Sequence, residues 1–359
     1  MSLALALGRR GLGKTWPNPA VGAVIVREDH DTPVVVGRGW TQPGGRPHAE
    51  AEALRRAGEA ARGGTIYVTL EPCSHHGRTP PCADAIIAAG IARVVSALDD
   101  PNPEIAGAGH ARLRAAGIAV EVGLGADEAR RAHAGHFRRM RDRRPHVTLK
   151  LAVSADGKTG AAGRRPAVIT GEATRARVHR LRAMNDAILV GIGTALADDP
   201  QLTCRLPGMA ACSPMRVVLD SRLRLPLGSA LATSARTTPV WVVGATDASP
   251  EPARTLRDAG VVQLEAPGSE GLLDLAAVLR LLAERGITRL MVEGGPIVAA
   301  SFVAADLVDA AALFRSGKVI GPDGIDALEG MPLETLTCRL KSLGREPIGE
   351  DSVEFFARA

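Results

Sequence analysis

One histidine, one glutamate and two cysteines in the first quarter of the chain have the types and spacing of a reactive metal site. His48-Ala49-Glu50 is followed by Pro72-Cys73, and eight residues separate Cys73 from Cys82. Zinc accepts one imidazole and two thiolates, and three protein ligands leave its fourth position open. Glu50 is placed to move protons without being a ligand. We therefore predict one zinc ion per chain, bound by His48, Cys73 and Cys82, with Glu50 as the catalytic proton shuttle.

This pattern indicates hydrolytic removal of an amino group from a ring. H-x-E followed by P-C is the signature of zinc-dependent deaminases, in which an activated water attacks an amidine carbon and a glutamate transfers protons. The alternative is a purely structural zinc site, which needs a fourth protein ligand, and His75 or His76 could supply it. Glu50 favours the catalytic interpretation, because a structural site has no use for this glutamate.

The surrounding sequence has the pattern of a layered α/β domain. Apolar runs predict strands at 21–26, 34–37, 65–70, 93–98 and 120–123, and helical patterns cover 48–61 and 82–89. His48 then opens one helix, Cys73 follows a strand, and Cys82 opens another helix. Cys82 is therefore expected at a helix N-terminus, and helix N-termini stabilise thiolates.

A second α/β domain is predicted after residue 144, so that the domains span 1–144 and 145–359. The arginine-rich stretch 138–144 is interpreted as a solvated helix end and linker. Strands are predicted at 146–153, 187–190, 216–219, 240–243 and 289–292, and helices at 175–184 and 272–285. Glycines after two of these strands, at 191–193 and 294–295, suit phosphate binding at a helix N-terminus and equally suit an ordinary turn.

Composition excludes several classes of protein. Hydrophobic residues make up 45% of the chain, as in globular proteins, and no apolar run is long enough to span a membrane. The net charge of +5 suits nucleic acid or a small phosphorylated substrate, but only 3% of the residues are aromatic, which is few for base stacking. Five cysteines are too sparse for a disulfide framework. We expect a cytoplasmic protein that binds neither nucleic acid nor membrane.

Taken together, the motifs resemble the bifunctional riboflavin-biosynthesis deaminase/reductase family over essentially the whole chain. The eight-residue cysteine gap, which contains Gly-Arg-Thr-Pro-Pro, separates this family from cytidine, guanine and tRNA deaminases. The deaminase-like motifs lie at 17–22, 48–50, 71–82 and 100–103, and the reductase-like motifs at 149–157, 169–171, 181–182, 190–194, 198–203, 219–221 and 293–296.

The resemblance implies a cytidine-deaminase-like three-layer domain followed by a dihydrofolate-reductase-like α/β domain, and two consecutive reactions. The first hydrolyses the 2-amino group of 2,5-diamino-6-(5-phosphoribosylamino)pyrimidin-4-one. The second uses NADPH to reduce the ribosyl side chain to ribityl. The partner is therefore a small phosphorylated pyrimidine, and a homo-oligomer, either a dimer or a tetramer, is expected.

The resemblance also implies individual contacts. Lys150 is the catalytic residue of the reduction, where its charge polarises the sugar oxygen; the alternative is a solvated or ion-paired lysine. Substrate contacts are expected from Asn18, Arg78, Asn102, Pro166, Arg182, Leu202, Arg205 and Glu293. For Asn18, Arg78 and Asn102 the alternative is that they are ordinary turn residues. NADPH contacts are expected from Ala152, Val168, Thr194, Asp198, Ser221, Gly295, Pro296 and Ile297.

Three places depart from the family pattern. Thr41 stands where many relatives have histidine, Val168 stands where tryptophan is common, and 313–318 replaces a Tyr-Ala-Pro strand expected at a sheet edge. These departures leave open a second interpretation, in which the second half is an inactive scaffold or dimerisation module. A third interpretation, a nucleic-acid deaminase, is motivated by the positive charge and opposed by the long cysteine gap.

Overall fold

The computed structural model describes residues 1–28, 32–75, 80–103, 105–165 and 167–358. The chain divides into two compact units, Met1–Arg144 and Pro145–Ala359. Each unit has its own sheet and its own apolar core. None of the helices in these ranges combines the length and the apolar character that a bilayer span requires.

The first unit is an α/β structure around a mixed sheet. Within the described residues the strand order is β2-β1-β3-β4-β5, with β1 antiparallel to both its neighbours and the remaining pairs parallel. Its strands are β1 (Gly22–Arg27), β2 (Val34–Trp40), β3 (Thr65–Val68), β4 (Arg93–Ser96) and β5 (Ala119–Val122). Its helices are α1 (Ser2–Gly8), α2 (Ala49–Ala57), α3 (Cys82–Ala88), α4 (Ala108–Ala115), α5 (Ala126–Ala132) and α6 (Ala134–Asp142).

Helices cover both faces of this sheet. Gly39 of β2 pairs with Ala23 of β1, so these two residues share one face of the sheet. Gly22 comes directly before Ala23 in β1, so position 22 belongs to the opposite face. A Cβ added at Gly22 would lie 1.9 Å from the Ala4 carbonyl oxygen of α1, and one at Gly39 would lie 2.1 Å from the Ala49 carbonyl oxygen of α2. The absence of side chains at these two positions lets α1 and α2 pack against opposite faces, which gives three layers.

The second unit is built on a larger sheet. Its strands are β6 (His146–Val153), β7 (Lys158–Gly160), β8 (Ala187–Gly191), β9 (Met215–Leu219), β10 (Val240–Ala245), β11 (Val262–Ala266), β12 (Gly268–Ser269), β13 (Leu272–Leu273), β14 (Arg289–Val292), β15 (Ala310–Arg315), β16 (Ile325–Asp326), β17 (Lys341–Ile348) and β18 (Asp351–Ala357). Its helices are α7 (Glu172–Ala183), α8 (Ile192–Asp198), α9 (Ala230–Thr233), α10 (Pro250–Asp258), α11 (Leu275–Glu284), α12 (Pro296–Ala304) and α13 (Glu334–Thr337).

The main sheet of the second unit has the order β11-β10-β9-β8-β14-β6-β15-β18-β17 in the described residues. The strands from β11 to β15 run parallel, and β18 and β17 are antiparallel at one end. β14 lies between β8 and β6. Strands β8 to β11 follow one another towards one edge of the sheet, and β15 lies on the other side of β6. Ligands of open parallel sheets bind beyond the carboxyl ends of the strands where the strand order reverses in this way.

Several sequence-based expectations need correction. Residues 310–315 form β15, which lies between β6 and β18 as an inner strand, so the stretch from 313 does not stand at a sheet edge. The helix expected from 272 begins only at Leu275, because Leu272–Leu273 pairs with Gly268–Ser269 as a short hairpin. Helix α11 starts there because the Asp274 carboxylate caps the backbone N–H groups of Ala276 and Ala277.

Candidate active sites

The three predicted zinc ligands meet in the first unit. His48 is the N-cap residue of α2, Cys73 lies in the loop after β3, and Cys82 is the first residue of α3. His48 Nδ1 is 3.6 Å from Cys73 Sγ and 3.3 Å from Cys82 Sγ. The backbone N–H of Cys82 donates to Cys73 Sγ at 3.3 Å, so the start of α3 stabilises a thiolate at Cys73.

The arrangement of donor atoms suits zinc. Bond lengths of about 2.0–2.1 Å to nitrogen and about 2.3 Å to sulfur put tetrahedral N and S ligands about 3.6 Å apart. The measured N–S separations match this spacing, and all three donor atoms lie within 4.8 Å of one another. In the described part of the chain this group contains only those three donors, so His75 does not complete a four-ligand site. His76 lies outside the described residues.

Charge is distributed unevenly over the two sulfurs. Hydrogen bonding from the Cys82 side chain, aided by His48 and by the backbone N–H of Cys82, lowers the pKa of Cys73 to about 4. The reciprocal hydrogen bond and burial raise the pKa of Cys82. Zinc coordination requires both sulfurs as thiolates, so metal binding at this site releases the Cys82 proton.

Glu50 lies beside the donors on the first turn of α2 and is only 4% exposed. Burial raises the pKa of its carboxyl to about 7, against the opposing effect of His48. A carboxyl that titrates near neutrality can both accept and donate a proton. Its placement therefore suits the proton transfers of a hydrolytic deamination.

A cavity of ≈ 180 Å³ opens onto these residues. Asn18 and Asn102, for which the sequence predicts substrate contacts, both line this cavity, and Asn18 Nδ2 donates to the Gly45 carbonyl oxygen at 2.8 Å. Arg78, the predicted phosphate contact, lies outside the described residues. The cavity is lined by Pro17, Asn18, Pro19, Val21, Thr41, Arg46, His48, Glu50, Leu70, Glu71, Cys73, His75, Asp100, Asn102, Ile105, His136, Arg139 and Met140.

Helix α6 contributes a wall that sequence reasoning missed. His136, Arg139 and Met140 line the cavity, and His136 Nε2 is 3.4 Å from Asp100 Oδ2. The stretch from 138 was interpreted as solvated, yet Arg139 reaches this site. The spacing i, i+3, i+4 places the three side chains on one face of a helix, and this was the available signal.

Thr41, one of the departures from the family pattern, is also a cavity residue. Its side chain is buried, and its Oγ1 accepts a hydrogen bond from the Val21 backbone N–H at 3.0 Å. The Thr41 hydroxyl is therefore engaged with the backbone at the edge of the cavity.

In the second unit, two predicted cofactor residues meet at the carboxyl ends of β8 and β14. The Gly295 backbone N–H donates to Thr194 Oγ1 at 2.9 Å, and a Cβ at Gly295 would lie 3.0 Å from that oxygen. Gly295 is the N-cap of α12, whose first residues are Pro296 and Ile297. Open space faces Gly193. This edge therefore offers a helix N-terminus and room for a phosphate-bearing cofactor.

The other predicted cofactor residues are more dispersed. Ala152 lies on β6 and pairs with Phe314. Val168 is 73% exposed, and its carbonyl oxygen accepts from Lys318 Nζ at 2.8 Å. Asp198 ends α8, where burial raises the pKa of its carboxyl. Ser221 follows β9, and its hydroxyl donates to the Gly271 carbonyl oxygen at 2.6 Å.

The predicted substrate residues Arg182 and Glu293 form a two-pronged ion pair. Arg182 Nε and Nη2 donate to the two carboxylate oxygens of Glu293 at 2.8 and 2.9 Å, and Nη1 donates to the Thr203 carbonyl oxygen at 3.1 Å. Lys150, on β6, lies near this pair. Burial lowers the pKa of Lys150, while Glu293 acts in the opposite direction. The pair and the lysine together form a cluster of two cations and one anion.

Two other residues that the sequence predicts to contact substrate lie close to Thr203. Leu202 is buried with φ of 55°, and Arg205 is exposed, with Nη1 3.4 Å from Thr203 Oγ1. His179, which the sequence analysis did not single out, has Nδ1 3.0 Å from the Thr203 carbonyl oxygen. Pro166 lies outside the described residues.

Breaking the Arg182–Glu293 pair is expected to destabilise the protein. The two side chains are 12% and 8% exposed, so Glu293→Gln leaves a mostly buried cation without its counter-charge. We expect a loss of about 3–5 kcal/mol in the free energy of unfolding, measured by urea denaturation. The matched control is Glu346→Gln, which removes the Arg177–Glu346 pair, with side chains 31% and 56% exposed, and should cost at most about 1 kcal/mol. Equal losses in the two variants would contradict this expectation.

Comparison with known proteins assigns a family model to each unit. Residues 145–353 match the model of the RibD C-terminal domain, and residues 1–98 match that of the cytidine and deoxycytidylate deaminase zinc-binding region. The riboflavin biosynthesis protein RibD of Aquifex aeolicus is 42% identical over 100% of this chain and 97% of its own length. The protein of the same name from Escherichia coli is 42% identical over 92% of this chain and 91% of its own length.

Solved structures give the same result. Acinetobacter baumannii RibD superposes with a TM-score of 0.88 at 37% identity, covering 100% of this chain and 97% of that one. A diaminohydroxyphosphoribosylaminopyrimidine deaminase/5-amino-6-(5-phosphoribosylamino)uracil reductase from Thermotoga maritima superposes with a TM-score of 0.84 at 34% identity, with the same coverage. The expected fold class, a cytidine-deaminase-like unit followed by a dihydrofolate-reductase-like unit, is confirmed. The chain belongs to the RibD family of bifunctional riboflavin-biosynthesis enzymes.

Proposed function

We propose that the first unit deaminates 2,5-diamino-6-(5-phosphoribosylamino)pyrimidin-4-one and that the second unit reduces the ribosyl side chain of the product to ribityl with NADPH. The observation that carries the first half is the convergence of His48, Cys73 and Cys82 beside the buried Glu50, on a cavity lined by polar side chains. The second half is supported by the match to the RibD C-terminal domain and by the cluster of Lys150, Arg182 and Glu293.

In the first unit the protein holds the ring and moves protons. His48, Cys73 and Cys82 are the residues that would hold zinc. When bound, zinc supplies the Lewis acidity that makes water a nucleophile at neutral pH. The Glu50 carboxylate takes a proton from the water, passes it to a ring nitrogen and then assists the departure of ammonia. The amide of Asn18 presents a donor and an acceptor to the pyrimidine edge, and Asn102 acts similarly.

In the second unit the protein orients two ligands and stabilises charge. NADPH, when bound, supplies the hydride. Thr194, Gly295, Pro296 and Ile297 would hold its phosphates at the start of α12, with further contacts from Ala152, Val168, Asp198 and Ser221. Lys150 polarises the sugar oxygen as negative charge develops there. Arg182, Leu202, Arg205 and Glu293 face the phosphosugar.

Loss of one thiolate tests the zinc assignment. Cys82→Ser is expected to lose most of its zinc and its deaminase activity, because a serine hydroxyl is a far weaker zinc ligand than a thiolate. Elemental analysis of the purified protein measures the metal directly. Cys338→Ser, at an exposed free cysteine outside the site, should keep about one zinc per chain. Full zinc occupancy in Cys82→Ser would overturn the assignment.

Mass spectrometry of the products, with and without NADPH, tests the complete function. Without NADPH we expect only the deaminated ribosyl compound, and with NADPH its ribityl form, heavier by two hydrogens. Deamination without any NADPH-dependent product would instead support the interpretation of the second half as a scaffold.

We also propose that the enzyme is a cytoplasmic homo-oligomer, a dimer or a tetramer. A reducing compartment suits a site that needs two thiolates, and cysteines 204, 212 and 338 are also free. Light scattering on the purified protein measures its mass in solution, and a monomer of 37.3 kDa would contradict the oligomer.

A further inference from the structure

The Glu71 side chain is fully buried between β3 and Cys73, and the zinc chemistry does not use it. Its carboxylate accepts backbone hydrogen bonds from a distant part of the chain. Oε2 accepts from the N–H groups of Asp100 at 3.0 Å and Gly107 at 2.9 Å. Oε1 accepts from those of Gly109 at 2.8 Å and His110 at 3.4 Å. One carboxylate thus binds both ends of a single loop, Asp100 at the start and Gly107 at the end.

Glu71, Asp99 and His110 also offer donor atoms within 4.8 Å of one another, but a second metal site does not fit them. Each oxygen of Glu71 already accepts two N–H groups. His110 Nδ1 lies 3.0 Å from Asp99 Oδ1, and the Asp99 side chain is 63% exposed. The arrangement is therefore an anchor for backbone N–H groups.

The anchored loop forms one side of the cavity. Asp100, Asn102 and Ile105 all line it. Asp100 Oδ1 accepts from the Asn102 backbone N–H at 2.8 Å, and Asp100 Oδ2 faces His136 Nε2 at 3.4 Å. The position of Asn102 over the cavity therefore depends on where the two ends of the loop are fixed.

Two glycines at the end of the loop allow its backbone to approach the Glu71 carboxylate closely. Gly107 has φ of 78° and is the N-cap residue that precedes α4. A Cβ at Gly109 would lie 2.0 Å from the Pro72 carbonyl oxygen and 3.1 Å from Glu71 Oε1. The backbone can reach the carboxylate only because position 109 has no side chain.

We propose that Glu71 is a positioning residue for substrate binding, which fixes the loop carrying Asp100 and Asn102 against the deaminase cavity. The proposal rests on the deaminase function proposed above. The zinc ligands have independent supports: the Ala83 N–H donates to the Cys73 carbonyl oxygen at 3.1 Å, and the Cys82 N–H donates to Cys73 Sγ at 3.3 Å. Loss of the anchor should therefore weaken substrate binding and leave the metal in place.

Glu71→Gln tests this role with little change of shape. The amide places an NH₂ group against two backbone N–H groups that need an acceptor. We expect about one zinc per chain as in the native protein, a KM for deamination raised about tenfold or more, and kcat within about twofold. Hydrogen exchange measured by mass spectrometry should accelerate about tenfold or more in peptides covering 100–110 and remain unchanged in β1 and β3. Asp99→Asn, in the same cluster but exposed, is the matched control and should change neither KM nor exchange.

Unchanged exchange in 100–110 together with an unchanged KM would overturn the proposal. If Glu71→Gln loses zinc, the Gly107→Ala variant tests the role of the loop instead. A Cβ at position 107 meets no atom within 4 Å, so this substitution strains only the loop backbone. A raised KM with zinc retained in Gly107→Ala supports the proposal, and an unchanged KM overturns it. Wild-type protein that fails to deaminate would refute the proposed function. Hydrogen exchange needs no substrate, so the exchange rates of 100–110 would still test whether Glu71 fixes the loop.

Discussion

Glu50→Gln is expected to keep its zinc and to lose deamination by about 10²–10⁴-fold or more. The side chain is buried on the first turn of α2, beside the three zinc donors but not among them. A glutamine has nearly the same shape but no proton to gain or lose at these pH values, so the transfers to the ring nitrogen and to the leaving amine have no carrier. Ammonia release measures the activity, and elemental analysis measures the metal in the same sample.

The same helix provides a control for Glu50→Gln. Glu52 is also buried on α2, but its carboxylate pairs with Arg55 at 2.9 Å and Arg56 at 3.5 Å. Glu52→Gln should deaminate within about twofold of the native rate, because both arginine partners are exposed and ion pairs to exposed cations contribute little. Near-normal turnover in a zinc-replete Glu50→Gln protein would refute the shuttle role. An equal loss in Glu52→Gln would show that the damage is to α2 rather than to proton transfer.

The zinc constellation could be predicted because its information is local. Short stretches around His48, Cys73 and Cys82 show that these ligands lie at a helix start or after a strand. The chemistry of imidazole and thiolate then indicates zinc. The strands that the sequence predicts could be found for the same reason, and the structure shows partly buried and buried residues alternating along one of them, β6. Others, such as β11, β17 and β18, were not predicted. Their order in the sheet, including the inner position of β15, depends on long-range pairing that no local pattern carries.

The polar contacts that shape the sites were not predictable in this way. Glu71 meets N–H groups 29 to 39 positions away, and Arg182 meets Glu293 across 111 positions. The family motifs predict that Arg182 and Glu293 contact substrate, but they do not predict that the two side chains hydrogen-bond to each other. Arg216 is a further case: the sequence places it in an apolar strand, and the structure buries its guanidinium among carbonyl oxygens of Gln201, Ser234 and Thr238.

The second large effect is expected at Lys150. Lys150→Met keeps the aliphatic stem and removes the charge, so we expect the rate of ribosyl reduction to fall about 10²–10³-fold while deamination continues and the deaminated ribosyl compound accumulates. Nζ of Lys150 lies 6.0 Å from the centre of the Phe314 ring, close to the Arg182–Glu293 pair. Lys150 is partly buried on β6, and its charge acts most strongly on the negative charge that develops on the sugar oxygen, so the loss should appear in kcat more than in KM.

NADPH oxidation, followed by absorbance with the deaminated substrate supplied directly, measures this step without the first unit. Lys341→Met, on the exposed strand β17, is the matched control and should reduce at the native rate. Glu50→Gln should also reduce normally, because its defect lies in the other unit. Normal reduction by Lys150→Met would show that the lysine is structural. If the native protein neither binds nor oxidises NADPH, the second unit is a scaffold and Lys150 has no reaction to assist. If it does both, and only Lys150→Met is slow, the charge at Lys150 is what the reduction requires.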